Sequence, residues 1–295
     1  MRNAFIDELV KQARENEKIA LVVGDLGYKV VEPFATAFPE RFINAGVAEQ
    51  NMTGLAAGLA SEGFHVFTYS IANFPTFRCA EQIRNDIDYH QLPVTVVTVG
   101  GGLAYGNLGY SHHAIQDYAL IRTMPNMLIA SPGDPLEVRA TLQYLVDHPQ
   151  PSYLRLGKAG EPNFNSTIPV VKPGEWVSIH KGDEDKCILC TGATINLAME
   201  WLKTEAYENY SIYSLPLWSM ASKEMQAEKA MQFSKIVTIE DHLADGGFGS
   251  WFLESCYPLI RTHNLDITCK ALDRKVCGMV GTQGYLNHMG GIAVK

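Results

Sequence analysis

The sequence predicts an α/β protein in which a parallel sheet, covered by helices on both faces, is followed by a second, smaller α/β domain. Two observations carry this reading. Short apolar, β-branched runs such as Ile19-Ala20-Leu21-Val22-Val23 and Val94-Thr95-Val96-Val97-Thr98-Val99 have no charged face, as expected of strands buried on both sides. Between such runs lie segments with helical periodicity, and strands that alternate with helices build parallel sheets.

Taken in order, Ala4 to Asn16 reads as an amphipathic helix leading into the strand Ile19–Val23 and the polar turn Gly24-Asp25. The strand Phe42-Ile43-Asn44 and a helix over Gln50–Ala60 follow, then the strand His65–Tyr69 and a helix over Thr76–Tyr89. The strand Val94–Val99, a helix near Ala114–Arg122, the strand Met127–Ala130 and a helix over Pro135–Val146 complete the first domain. Ligands of such sheets bind beyond the carboxyl ends of the strands, where Asp25, Glu49, Phe74, Gly100 and His112 all fall. The stretch from Leu156 to Glu175, punctuated by proline and glycine, reads as a connection; boundaries are set at 1–160 for the first domain, 161–180 for the linker and 181–295 for the second domain. Strands are expected there at Cys187–Thr191, Tyr210–Leu215, Ile236–Glu240 and Ile267–Leu272, and the glycine-rich turn after Asp241 should enter a helix over Ser250–Ser255.

At 295 residues, two domains are the expectation, and 46% apolar against 19% charged residues is an ordinary globular composition. A net charge of −8 disfavours nucleic acid as a partner, though a few local cations can still bind a small anion. No apolar run reaches the length of a membrane span and the first residues lack a signal-peptide pattern, so a cytosolic protein is expected. Cys187-Ile188-Leu189-Cys190 has the spacing of a metal or redox pair, but on a strand residues three apart point to opposite faces. Core thiols and no metal site are therefore expected.

One carboxylate stands out. Glu49 interrupts the small, apolar run Ala45-Gly46-Val47-Ala48-Glu49-Gln50-Asn51-Met52-Thr53-Gly54 at a strand-to-helix junction, where its charge would be partly desolvated. Such a group is costly unless something binds it or it stays protonated. The plain alternative is a residue that only complements the helix dipole.

The segment Arg41-Phe42-Ile43-Asn44-Ala45-Gly46-Val47-Ala48-Glu49-Gln50-Asn51-Met52 resembles the pyrimidine-binding segment of transketolases and related thiamine-diphosphate enzymes. Further blocks match in the family's order: Arg2-Asn3-Ala4-Phe5, Gly24-Asp25-Leu26, Phe74 to Asn85, Gly109-Tyr110-Ser111-His112-His113, Met124-Pro125-Asn126-Met127, Ser131-Pro132-Gly133-Asp134, and Ile236 to His242 with its glycine turn. The resemblance covers the C-terminal half of a full-length transketolase, a pyrimidine-binding domain followed by the C-terminal domain. The half that binds diphosphate and magnesium carries Gly-Asp-Gly and, further on, paired asparagines; this sequence has no such segment. The resemblance thus implies a split enzyme: thiamine diphosphate and Mg2+ or another divalent cation shared with an N-terminal partner subunit, most simply as a heterotetramer of two of each chain.

It also implies roles. Glu49 would hydrogen-bond the ring nitrogen of the aminopyrimidine and favour the imino tautomer, whose exocyclic nitrogen takes the proton from the thiazolium carbon; a desolvated carboxyl suits that contact. Phe74 would stack on the pyrimidine, with Phe77 as the alternative, and Asp25 would line the cofactor site. His112 would hydrogen-bond the donor substrate and shuttle a proton, and His113 stands where a glutamine is common. Where the family grips the sugar phosphate with arginines, a serine and a histidine, Arg2 fits one arginine, Lys158 takes the place of the second, Lys29 lies near the serine position and Gly100 replaces the histidine. Leu108 occupies the neighbourhood of an aspartate that reads the donor's hydroxyl stereochemistry. These departures point to a modified, deoxy or differently phosphorylated sugar.

The expected function is transfer of a two-carbon ketol unit from a ketose donor to an aldehyde acceptor. Two alternatives share the plan: the beta subunit of a 2-oxoacid dehydrogenase, and a non-catalytic interaction subunit. For Glu240, Asp241 and His242 the expectation is packing and dimer contact.

Overall fold

The computed structural model describes residues 1–182, 185–260 and 265–294. Its strands are β1 (Ile19–Val23), β2 (Phe42–Asn44), β3 (His65–Ile71), β4 (Val94–Val99), β5 (Leu128–Ala130), β6 (Ser152–Leu156), β7 (Val177–His180), β8 (Lys186–Cys190), β9 (Ser211–Ser214), β10 (Leu217–Trp218), β11 (Lys235–Leu243) and β12 (Asp266–Leu272). The α-helices are α1 (Arg2–Glu15), α2 (Glu32–Ala37), α3 (Glu49–Ser61), α4 (Asn73–Phe77), α5 (Ala80–Gln82), α6 (Asp117–Ile121), α7 (Pro135–Asp147), α8 (Ile195–Trp201), α9 (Glu224–Ala230), α10 (Phe248–Ile260) and α11 (Gln283–Met289). Among the described residues no helix is long and apolar enough to cross a membrane.

The first sheet runs β10-β5-β6-β4-β3-β1-β2, parallel throughout except for the antiparallel β10–β5 pair. The second runs β12-β11-β8-β9-β7, with only β7–β9 antiparallel. In β1, Ala20 and Val22 enter one core while Ile19, Leu21 and Val23 enter another, which is why this strand is apolar at every position. The core containing Ala20 and Val22 continues into the second sheet through Cys187, Leu189 and Ile236, so the two sheets share buried apolar side chains. Cys187 and Cys190 are both buried and belong to different cores, as alternation along β8 requires.

The structure departs from the sequence reading in several places. β6 adds a central strand just before the expected connection, and β7 lies inside the stretch read as linker. β10 follows β9 in the chain yet joins the first sheet through Leu217 and Trp218. The expected helix over Ala114–Arg122 contracts to α6, because Ala114 instead pairs with Gly102 in an isolated bridge. The helix expected over Thr76–Tyr89 is broken into α4, α5 and a π-helical turn, Ile83–Asp88. Cys79, Ile83 and Ile87 are all fully buried at a spacing of four, wider than an α-helical turn, and the π turn keeps them on one face.

Two local devices place the loops at the sheet's carboxyl edge. Asp134 caps α7 by accepting from the Glu137 N–H at 2.7 Å while Glu137 accepts from the Gly133 N–H at 2.7 Å, a reciprocal cap. The other Asp134 oxygen accepts from the Phe164 and Asn165 N–H groups, tying down the chain after β6. Beyond β4, Gly100 and Gly102 have φ values of +83° and +64°, and a Cβ at either would collide with Tyr105 or Asp241. Glycine is required there because the backbone crosses directly over those side chains.

Candidate active site

Glu49 is the first residue of α3, directly beyond the carboxyl end of β2, and is 5% exposed. Its Oε1 accepts a 2.8 Å hydrogen bond from Arg78 Nη1, so the buried carboxylate is held by a cation. Oε2 has no hydrogen-bond partner among the described residues. The Arg78 guanidinium lies 4.3 Å from the ring centroid of Phe74, and Phe74 meets the His112 ring edge-on at 5.1 Å. Glu49, Arg78, Phe74 and His112 thus form one contiguous chain of contacts. An open pocket of about 430 Å3 is lined by Val47 to Asn51 and Arg78.

Short helices place the remaining groups of this cluster. α4 carries Phe74 at its start, and Arg78, the residue after α4, stacks on it four positions later. Asn73 Nδ2 donates to the Ser111 carbonyl at 3.0 Å, joining α4 to the histidine loop, while Ser111 Oγ and His112 Nδ1 lie 3.0 Å apart. Burial first, and then the Arg78 charge, hold the His112 pKa below the usual histidine value. At neutral pH its imidazole is therefore neutral, able to donate at one nitrogen and accept at the other.

The other sequence-selected residues divide. Phe77 is 47% exposed and has no ring contact among the described residues, so Phe74 is the aromatic that joins the cluster. Asp25 adopts a left-handed φ of 54° and accepts from Asn44 Nδ2 at 2.9 Å and Tyr28 Oη at 3.2 Å. Its neighbour Gly24 lies against Glu49, where an added Cβ would sit 3.8 Å from Glu49 Cγ. Lys29, also left-handed, is exposed on the same turn, and its N–H donates to Glu32 Oε1. His113 differs from its neighbour: it is 1% exposed, with Nε2 3.5 Å from the Gly106 carbonyl, and it packs beneath the loop instead of facing the pocket.

A second cluster gathers Arg2 and Lys158. The Arg2 N–H donates to the Lys158 carbonyl at 3.2 Å, which brings the start of α1 to the chain after β6. Lys158 Nζ lies 5.1 Å from the Tyr105 ring centroid, and Arg2 acts electrostatically on both Tyr69 and Tyr105. Lys158 also lines a cavity of about 470 Å3 between the sheets, together with Asp241 and Asn287.

The sequence matched to the family described as transketolase, pyrimidine binding domain, spans residues 1–160. The chain belongs to the transketolase family. It is 33% identical over 259 residues to one of the subunits of the apulose-4-phosphate transketolase of Phocaeicola vulgatus, covering 86% of this chain and 82% of that protein. It is 27% identical over 299 residues to the 6-deoxy-6-sulfo-D-fructose transketolase subunit of a Clostridium species, covering 100% of this chain and 91% of that protein. The solved structure of a split gene transketolase, described as an inactive beta4 tetramer, superposes with a TM-score of 0.82 at 31% identity, covering 99% of this chain and 93% of that chain. The transketolase of Pichia stipitis superposes with a TM-score of 0.79 at 21% identity over 44% of its chain, which shows that the fold is that of a part of the longer enzyme.

Sequence reasoning gave no role to two groups. Arg78 lay within a matched block, and its signal was the four-residue spacing from Phe74. Arg155 is the lone cation in the apolar strand β6 and is 3% exposed. It donates from Nε to Asp117 Oδ2 at 2.7 Å and from Nη1 to Asp241 Oδ1 at 2.6 Å, linking the two sheets. Glu240, Asp241 and His242 are accordingly enclosed within this chain at 1%, 3% and 0% exposure. Packing accounts for them; a direct dimer contact through these side chains does not.

Proposed function

We propose that this chain is the C-terminal subunit of a two-polypeptide transketolase that moves a two-carbon ketol unit from a ketose donor to an aldehyde acceptor. The observation that carries the reading is Glu49: a buried carboxylate that lines an open pocket, with one oxygen held by Arg78, which itself lies over the Phe74 ring, and the other without a hydrogen-bond partner among the described residues. That donor set fits an aminopyrimidine, which offers a ring nitrogen for a carboxyl and a flat face for a phenylalanine. Thiamine diphosphate, when bound, supplies the electron sink that stabilises the carbanion formed as the donor's carbon–carbon bond breaks.

The chain's own residues would bind and orient. Glu49 would hydrogen-bond the pyrimidine ring nitrogen, Phe74 would support the ring's face, and Asp25 would fix the turn beside it. His112, neutral at neutral pH, would hydrogen-bond donor hydroxyls and carry a proton. Arg2 and Lys158 would hold an anionic group at the far end of the sugar, with Lys29 as a further cation on the rim, and His113, buried against the Gly106 carbonyl, would support the loop. The diphosphate and a divalent cation such as Mg2+ would be bound by an N-terminal partner, a reading supported by the relatives named as transketolase subunits and by the split gene transketolase structure. Two copies of each chain, in the cytosol, form the simplest assembly.

Gly100, Lys158 and the 56% exposed Leu108 depart from the pattern for common pentose phosphates. Relatives named for apulose 4-phosphate and 6-deoxy-6-sulfofructose support a modified-sugar donor. The test is the purified complex of this chain with a partner carrying the diphosphate motif, offered a panel of ketose donors with an aldehyde acceptor and, separately, 2-oxoacids with an artificial electron acceptor. Ketol transfer without acceptor reduction is expected. Reduction driven by a 2-oxoacid, with no ketol transfer, would replace this reading by that of a dehydrogenase subunit.

A further inference from the structure

β4 ends at Val99, and the backbone turns at once through Gly100 in a left-handed conformation. A Cβ on Gly100 would run into the Tyr105 ring, so Tyr105 fills the volume that any side chain at position 100 would claim. The loop that carries Tyr105 continues seven residues to His112, placing the phenol and the imidazole on one segment at the sheet's carboxyl edge.

Around that phenol the donors are unspent. Arg2 and Lys158 form no ion pair among the described residues, in a chain of net charge −8. Arg2 Nε is buried and has no hydrogen-bond partner among the described residues. The Tyr105 hydroxyl also lacks a hydrogen-bond partner among the described residues. Burial raises its pKa while the Arg2 charge opposes the rise, so it stays a neutral O–H donor at physiological pH. Two cations act on this phenol, Lys158 with its Nζ 5.1 Å from the ring centroid and Arg2 through its charge. The carboxylates lining the Lys158 cavity, Glu161 and Asp241, are paired with the amino terminus and Arg155, so both cations are left for a tetrahedral oxyanion, which presents several acceptor oxygens to separate donors.

We propose that Tyr105 is a specificity-determining residue: its hydroxyl donates to the terminal oxyanion of the donor sugar, beside Arg2 and Lys158, and takes the place of a side chain at position 100. The inference rests on the assignment of Arg2 and Lys158 made above. A phosphate and a sulfonate share the required chemistry, and the two are distinguished by the probe.

The test titrates the full-length chain with inorganic phosphate, followed by 31P NMR, and with methanesulfonate as competitor. Tyr105→Phe keeps the ring over Gly100 and removes only the donor, so its thermal midpoint should match wild type while its phosphate affinity falls about tenfold, the effect of one hydrogen bond to a charged group. Arg2→Ala should weaken binding further. Effective competition by methanesulfonate extends the site to sulfonated sugars, and its failure restricts it to phosphates. If Arg2→Ala weakens phosphate and Tyr105→Phe does not, the role of Tyr105 is overturned while the anion site stands. If wild type takes up no phosphate, or Arg2→Ala binds it unchanged, the assignment of Arg2 falls and the Tyr105 proposal with it; ketol transfer by the complex is read independently of either result.

Discussion

Replacing Glu49 by glutamine is expected to lower turnover by the assembled enzyme about a thousandfold, within the range for loss of a positioned acid–base group. Glutamine has the same shape and can still reach the pocket, but it neither titrates nor carries the charge that Arg78 neutralises. Stability should change little. Arg78 is about half exposed in this ion pair, at 51%, so solvent screens the interaction and its loss costs about 1 kcal/mol or less. The measurement is kcat of the reconstituted complex alongside the thermal midpoint of the variant chain. Activity within tenfold of wild type would remove Glu49 from the chemistry and favour the non-catalytic reading of this subunit.

Arg155→Met should produce the largest loss of stability, about 3–5 kcal/mol, because it strands two buried carboxylates. Asp117 is fully buried and Asp241 nearly so, and Arg155 binds one with Nε and the other with Nη1. Its Nη2 also donates to the Ala114 carbonyl at 2.8 Å, and its guanidinium lies 4.4 Å from the Tyr118 ring centroid. Methionine replaces none of these contacts. The loss should depend on pH with a defined sign. Burial already pushes the Asp241 carboxyl up, with the Arg155 charge opposing it. Without that charge the folded-state pKa rises further above its unfolded value, so the folded variant binds the proton more readily than the unfolded chain. Its stability therefore falls as pH rises, and the deficit relative to wild type should be smaller at pH 5 than at pH 8. Urea unfolding at both pH values checks this; a deficit under about 1 kcal/mol, or one that shrinks as pH rises, would contradict the account.

The parallel sheet was legible because its strands are buried on both faces and show it in every residue, as β1 and β4 do. β10 was not, since two residues, Leu217 and Trp218, carry no periodicity and are strand only by pairing with Ile129 and Ala130. β7 was hidden for a related reason: a half-buried edge strand beside Pro173 and Gly174 resembles a connection. In the site, Glu49 was visible as a carboxylate in an apolar run, and Phe74 and His112 as members of matched blocks. What sequence could not give was the contact between them. Arg78 becomes part of the site only when α4 folds back on α3, and Tyr105 only when Gly100 lets the loop turn over its ring. His113 illustrates the converse: adjacent residues with the same imidazole have opposite fates, because a 3-10 turn over Tyr110–His112 leaves one ring at the surface and buries the next.

The central claim is that this chain supplies only the pyrimidine side of a shared site. It is tested most directly by measuring thiamine diphosphate binding and ketol transfer for the purified chain alone, for the N-terminal partner alone, and for their mixture. The account predicts tight cofactor binding and turnover in the mixture only. Ketol transfer by the lone chain at the rate of the mixture would contradict it.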